Sequence, residues 1–211
     1  MTTRRHFVFC LVGAGTLAGC GAVPERPVRA TQYDFGPGPA AGAATLAANQ
    51  QPLMLGEVEA SSAWDGSAVL YRLGYADPNQ LQPYAHTRWS APMPQLIRQR
   101  LRERLAQDRV VLDLTDSSVL ARTGGVMPRI LRLNLEEFAQ WFDTPASSAG
   151  VLRLRATLTD NTAAGERLVA QRSVVLRRPA ASADAAGGVR ALAAATDAAA
   201  EEIAQWLRRQ P

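Results

Sequence analysis

Residues 129–138, Arg-Ile-Leu-Arg-Leu-Asn-Leu-Glu-Glu-Phe, alternate apolar and polar side chains with a period of two. Leu131, Leu133 and Leu135 fall on one face and Arg132, Asn134 and Glu136 on the other, the pattern of a half-buried strand. Val151 to Thr159 repeats it, with Leu152, Leu154, Ala156 and Leu158 directed inward. Asp160 to Gly165 reads as a turn, and Arg167 to Arg178 completes a long antiparallel hairpin.

Two helical periodicities flank these strands. Met93, Ile97, Leu101 and Leu105 recur every four residues with Leu96 beside them, while Arg98, Arg100, Arg102, Glu103 and Arg104 fill the other positions. This predicts a one-sided amphipathic helix to about Gln107, with Ser90 as its cap and Pro92 and Pro94 in the first turn, where a missing N–H costs little. The last helix is expected over about Val189 to Arg208, with Val189, Leu192, Thr196, Ile203, Trp206 and Leu207 on one stripe and alanines at the close-packed positions. Pro179 to Gly188 reads as the loop before it.

The remaining strands are shorter. Leu53 to Ala60 alternates loosely and stops before the turn signal Trp64-Asp65-Gly66-Ser67. A strand from Ala68 to Tyr75 is expected to close at Asp77-Pro78-Asn79, Tyr84 to Trp89 to lead into the first helix, and Val110 to Leu114 to form a short strand before a loop containing Gly124 and Gly125. The fold class is therefore α+β: an antiparallel sheet of about five to six strands with two amphipathic helices packed on one face.

The N-terminus carries a different kind of signal. Arg4 and Arg5 precede an apolar run from Phe7 to Val12, small residues continue to Gly19, and Leu17-Ala18-Gly19-Cys20 ends the segment in the order of a bacterial lipobox. Leu17, Ala18 and Gly19 would form the signal-peptidase recognition site and Cys20 the acylated first residue of the mature chain. Each acyl CH₂ buried in a bilayer contributes about 0.8 kcal/mol, so several chains on one residue hold the protein there almost irreversibly. Gly21 follows the cysteine, where an aspartate would signal retention in the inner membrane, so the address points to the outer membrane. Cys10 leaves with the signal and Cys20 is modified, so no disulfide is expected.

Three segments follow: a signal peptide at 1–19, a lipidated tether at 20–51 and a folded domain at 52–211. The tether is rich in Pro, Ala and Gly and cannot bury enough apolar surface to offset its ordering entropy. Only Tyr33-Asp34-Phe35 interrupts it, as a short strand able to dock on the domain.

The formal charge is +4, and loss of Arg4 and Arg5 lowers it to +2. All basic residues are arginine, scattered among acids with no basic run that interleaves aromatics, so nucleic acid is not an expected partner. After the signal the only histidine is His86, with no second histidine or free thiol to complete a zinc site. No G-x-S-x-G elbow and no phosphate-cradling G-x-x-x-x-G-K occurs. Glu136-Glu137 is the one adjacent acid pair inside a strand, and strand neighbours point to opposite faces. No enzyme, metal or cofactor emerges.

One concentration of residues has binding character. Trp64, Tyr71, Tyr75, Tyr84 and Trp89 supply five of the thirteen aromatics within 26 residues. Buried rings with wet polar tips are common at interfaces and also fill small sheets. Tyr71, Tyr75, Tyr84 and Trp89 are the candidate partner contacts.

Taken in order, several segments resemble the ABC-type transport auxiliary lipoproteins. They are the lipobox, Tyr33-Asp34-Phe35, Val69-Leu70-Tyr71-Arg72, Tyr84 with Arg88-Trp89-Ser90-Ala91-Pro92 before an Arg/Leu helix, Leu133-Asn134-Leu135-Glu136-Glu137-Phe138, and the alanine-rich last helix ending Ala204-Gln205-Trp206-Leu207. The resemblance implies a non-enzymatic lipoprotein, anchored in the outer membrane by acyl chains on Cys20 and facing the periplasm. It further implies a periplasmic mammalian-cell-entry (MCE) domain protein as partner, working with an inner-membrane permease and an ATPase on other chains to move lipids between the membranes. Self-association as a homo-oligomer stays open. The alternative is a structural or assembly-factor lipoprotein of another envelope complex.

Overall fold

The computed structural model describes residues 28–38, 51–113, 127–162 and 165–210. Cys20, its recognition residues Leu17, Ala18 and Gly19, the sorting residue Gly21, the Gly124-Gly125 loop and most of the expected tether lie outside them.

Among the described residues, eight strands and two helices form one α+β unit. The strands are β1 (Thr31–Tyr33), β2 (Leu53–Ala60), β3 (Ala68–Leu73), β4 (Asp77–Trp89), β5 (Val111–Asp113), β6 (Arg129–Thr144), β7 (Ser147–Thr162) and β8 (Gly165–Pro179). Helix α1 spans Met93–Leu105 between β4 and β5, and helix α2 spans Ala185–Arg208 at the C-terminus.

The alternation in residues 129–178 produces the frame, an antiparallel β6–β7–β8 meander whose inward residues Leu131, Leu133, Leu135, Phe138, Leu152, Leu154, Ala156, Leu158 and Val174 are almost wholly buried. β6 serves two neighbours along its other edge. Its first half pairs with β2, from Leu53 opposite Arg129 to Ala60 opposite Leu135, and its second half with β3, Tyr71 lying opposite Gln140. Both pairings are parallel, as are β2 with β5 and β1 with β4, so the sheet is mixed and larger than the expected antiparallel sheet of five to six strands. Parallel partners are brought together by long connections rather than by a turn, and local alternation carries no sign of that choice.

Three boundaries also move. Asp77-Pro78-Asn79 is no strand end: the turn comes at Gly74–Ala76, and β4 begins at Asp77 and runs 13 residues through Tyr84 to Trp89. Its internal Pro83 lies opposite Leu70 beside a register shift, where a strand tolerates a missing N–H. Ser90 caps nothing; its N–H donates to the Tyr33 carbonyl at 2.7 Å, and α1 starts behind Pro92. Helix α2 starts four residues before the expected Val189, with Asp184 accepting the Gly187 N–H at 2.7 Å. Two backbone N–H groups at most are satisfied by such a cap, and here that bond also holds the Asp184 carboxyl below its ordinary range.

Both helices cover the same face. Met93, Ile97, Leu101 and Leu105 of α1 and Leu192, Ala195, Ala199 and Ile203 of α2 are fully buried in one core with the inward sheet residues. Arg100 meets Asp197 and Arg104 meets Glu201, so the helices run side by side in the same direction. Alanines and glycines permit the close packing. A β-carbon on Gly150 of β7 would sit 2.6 Å from the Leu192 nitrogen of α2, and one on Gly188 would overlap the amide of Gln140.

The unit therefore has two poles. One holds the β3–β4 turn, the β6–β7 turn at Thr144–Ser147, the end of β8 and the start of α2; we call it the turn pole. The opposite pole holds the starts of β2 and β6, the β7–β8 connection and the C-terminal ends of both helices, where Arg208 reaches Asp108 at 2.7 Å. Among the described residues no helix is long and apolar enough to cross a membrane.

Candidate functional site

Residues 31–36 lie across the domain as a strap. β1 adds to β4 in parallel register, Thr31 opposite Thr87 and Tyr33 opposite Trp89. The chain then turns on Asp34, whose carboxylate accepts the Gly36 N–H at 2.7 Å, and Gly36 adopts the left-handed φ of 67° that suits glycine. Between them Phe35 enters the core, its ring 5.3 Å from Trp89 edge-on and 6.0 Å from Phe138. Arg100 secures it from above: one guanidinium nitrogen donates to the carbonyls of Phe35 at 2.8 Å and Gly36 at 2.7 Å, the other to Asp197 of α2 at 3.0 Å. At 5 % exposure Arg100 is a buried cation joining strap, α1 and α2. Burial raises the Asp197 carboxyl above its ordinary value, and Arg100 opposes that shift. Shallow clefts flank the strap, one lined by Leu96, Gln99 and Glu103 and the other by Val189, Arg190 and Ala193.

The strand expected at Tyr33-Asp34-Phe35 is thus present, but the residue that secures it was not foreseen. A signal existed: Leu96, Arg100 and Arg104 succeed one another at i+4, so Arg100 continues the apolar flank of α1 and must face a neighbour.

The four candidate partner contacts separate. Trp89 is 1 % exposed and belongs to the core, which corrects its reading as a contact residue: the ring that ends β4 packs on Phe35 and Phe138. Tyr71 and Tyr84 are half-buried with rings 4.6 Å apart. Their hydroxyls donate to Gln82 at 2.7 Å and to the wholly buried Gln140 at 2.8 Å, and Gln140 donates onward to Ser148 at 2.7 Å. Burial pushes the Tyr84 hydroxyl well above the ordinary tyrosine value. These two therefore close the gap beneath the start of α2. Tyr75 alone is open, 48 % exposed on the β3–β4 turn.

The sheet face away from the helices is an array of ion pairs. Leu135 pairs with Leu154 but Glu137, not Glu136, pairs with Arg153, so a bulge inserts one residue in β6. The bulge places both carboxylates on one face, against the expectation that they diverge. Glu136 meets Arg155, and Glu137 meets Arg72 at 3.4 Å and Arg153 at 3.7 Å. Held by guanidinium groups on an open sheet, the pair is arranged as a charge network rather than around a scissile bond. His86 is exposed on β4, and among the described residues no cluster of three or more His, Cys, Asp or Glu side chains could hold a metal ion.

The comparisons with known proteins agree with this geometry. A crystal structure of a DUF330 protein from Xanthomonas campestris superposes with a TM-score of 0.68 at 18 % identity, over 84 % of this chain and 94 % of that one. A second solved structure, of an uncharacterized protein, gives 0.63 at 17 % identity, over 85 % and 99 %. At such identities the likeness concerns the fold. No curated protein matches the chain. The sequence model of one family covers residues 33–204, from Tyr33 of the strap to Ala204 of α2. On that match the chain belongs to the family of ABC-type transport auxiliary lipoprotein components.

Proposed function

We propose that this chain is a non-enzymatic lipoprotein, fixed to the outer membrane by acyl chains on Cys20 and facing the periplasm. There it serves an MCE-type system that moves lipids between the inner and outer membranes. The observation that carries the reading is the family match over residues 33–204, together with the lipobox upstream of it. The architecture supports it. The polar groups of the Tyr84–Gln140–Ser148 chain and of the sheet-face ion pairs satisfy one another, as suits a docking module.

The partner in this reading is the MCE-domain protein of the periplasm, with its permease and ATPase in the inner membrane. Full-length acylated protein immobilised in outer-membrane-like vesicles should retain that MCE-domain protein, and the retention should survive removal of the ATPase. Absence of binding at micromolar concentrations would contradict the reading.

A further inference from the structure

We propose that the turn pole of the domain rests on the bilayer that carries the anchor, with Tyr75 at the contact, so that the opposite pole projects away from the membrane. The inference rests on the anchor reading of Cys20.

Its first support is where the chain enters the fold. β1 runs parallel to β4, and β4 begins at the β3–β4 turn, so the start of the strap points toward the turn pole. Val28 is the first described residue, and only eight peptide units separate it from Cys20. Fully extended, eight units reach about 28 Å. The 16 residues of β6 span about 50 Å from pole to pole. Thr31 sits opposite Thr87, and Arg88 opposite Ala68, three residues before the Tyr71–Gln140 pair. Val28 therefore lies roughly 40 Å from the opposite pole, by the rise of a strand. With that pole down, the leash would not reach the membrane.

Surface chemistry then decides between standing on the turn pole and lying flat. Flat on the sheet, the domain would press an array of charges already paired with one another toward the headgroups, Glu136 with Arg155, Glu137 with Arg72 and Arg153, Asp160 with Arg129 and Glu166 with Arg132; flat on the helices, the pairs of Glu103 with Arg100 and Glu201 with Arg104. The turn pole offers other groups. Val28 is 68 % and Tyr75 48 % exposed, and an exposed tyrosine suits the headgroup boundary. Arg29 and Arg178 are exposed there without a carboxylate partner among the described residues, and Arg190 is exposed beside the Asp184 cap. Of the acids at this pole, Asp143 pairs with Arg177 and Asp184 caps α2, while Asp77 accepts the Asn79 N–H on the exposed turn.

The test uses the full acylated chain in vesicles of phosphatidylethanolamine and phosphatidylglycerol whose acyl chains carry nitroxide quenchers. Cys20 is consumed by acylation, so Tyr75→Cys and Leu168→Cys each provide one site for a fluorescent label. Leu168 is 61 % exposed and lies opposite Thr159, near the far pole. Flotation is measured first. Protein that does not float overturns the anchor reading itself. In protein that floats, quenching at position 75 should exceed that at 168 at least threefold. Equal quenching at both sites, or stronger quenching at 168, overturns the proposed orientation while leaving the anchor in place.

Discussion

Replacing Phe35 by alanine separates a strap from a tether. Complete burial of a phenylalanine makes its truncation cost ~3–5 kcal/mol, through lost transfer energy and the cavity left behind. Phe35 is partly buried, with one face on Trp89 and Phe138 and the Arg100 guanidinium 5.9 Å from its ring centroid. The loss should then be about 2–3 kcal/mol, scaling that range by a burial of roughly two-thirds. For a domain of this size each kcal/mol moves the melting temperature by ~2–4 °C, giving a fall of about 5–10 °C. The assay is thermal unfolding by circular dichroism of a non-acylated chain covering residues 21–211. Proline at Thr31, which removes a β1 backbone donor without touching the core, provides a milder second perturbation in the same direction. A Phe35→Ala melt within about 1 °C of wild type would refute the claim that residues 31–36 are part of the fold.

Three further outcomes are expected. Gly188→Ala should destabilise the domain by ~1–3 kcal/mol through overpacking against buried Gln140, and should lower the denaturant midpoint without changing the slope. Trp89→Ala should cost ~3–5 kcal/mol of folding stability, whereas Tyr75→Ala should leave unfolding within ~0.5 kcal/mol of wild type; equal effects would show the assignment of core and surface to be mistaken. Stability should also fall in acid. The Arg104 hydrogen bond, helped by Gln205, holds the Glu201 carboxyl at about 2 against an ordinary 4.5, so its contribution is present above pH 4.5 and is lost as pH falls toward 2. Asp113 and Glu166 are depressed by Arg98 and Arg132 and add in the same sense, while Asp197 is raised and opposes them. Melting temperatures between pH 5 and 2 should drop less steeply in Glu201→Gln than in wild type.

What could be read from the sequence was what is local. The four-residue spacing of Met93, Ile97, Leu101 and Leu105 announces α1 because one face of a helix must be apolar to pack, and all four are fully buried. The alternation in residues 129–178 announces β6 to β8 for the corresponding reason in a strand. Even the bulge left a trace: inward Leu135 is followed by inward Phe138, three residues on instead of two, a phase slip that marks an inserted residue. Other features depend on distant partners. The prolines at 78 and 83 disguised β4, since only the positions of β3 and β1 show that those missing donors are harmless. Gly187 and Gly188 imitated a loop because the pressure against side chains there comes from Ser182 and from Gln140 on β6. The parallel pairing of β2 and β3 along one edge of β6 has no local signature at all. For the site the division is similar. The aromatic cluster was visible, yet which member is core, Trp89, and which is exposed, Tyr75, is set by the strap that covers one and leaves the other free.

The strap also changes the meaning of the Pro/Ala/Gly-rich segment. With Phe35 and Gly36 held by Arg100, residues 39–50 connect two parts of one domain, and the proposed anchor on Cys20 would be joined only by the short stretch upstream of Val28. The account as a whole depends on that anchor. Its most direct test is the intact mass and N-terminal peptide of the mature protein taken from membranes. The account predicts a chain that begins at Cys20 and carries acyl groups on it, and a Cys20→Ser chain that is neither cleaved there nor membrane-bound. A mature chain with an unmodified Cys20, or one that begins at another residue, would contradict it.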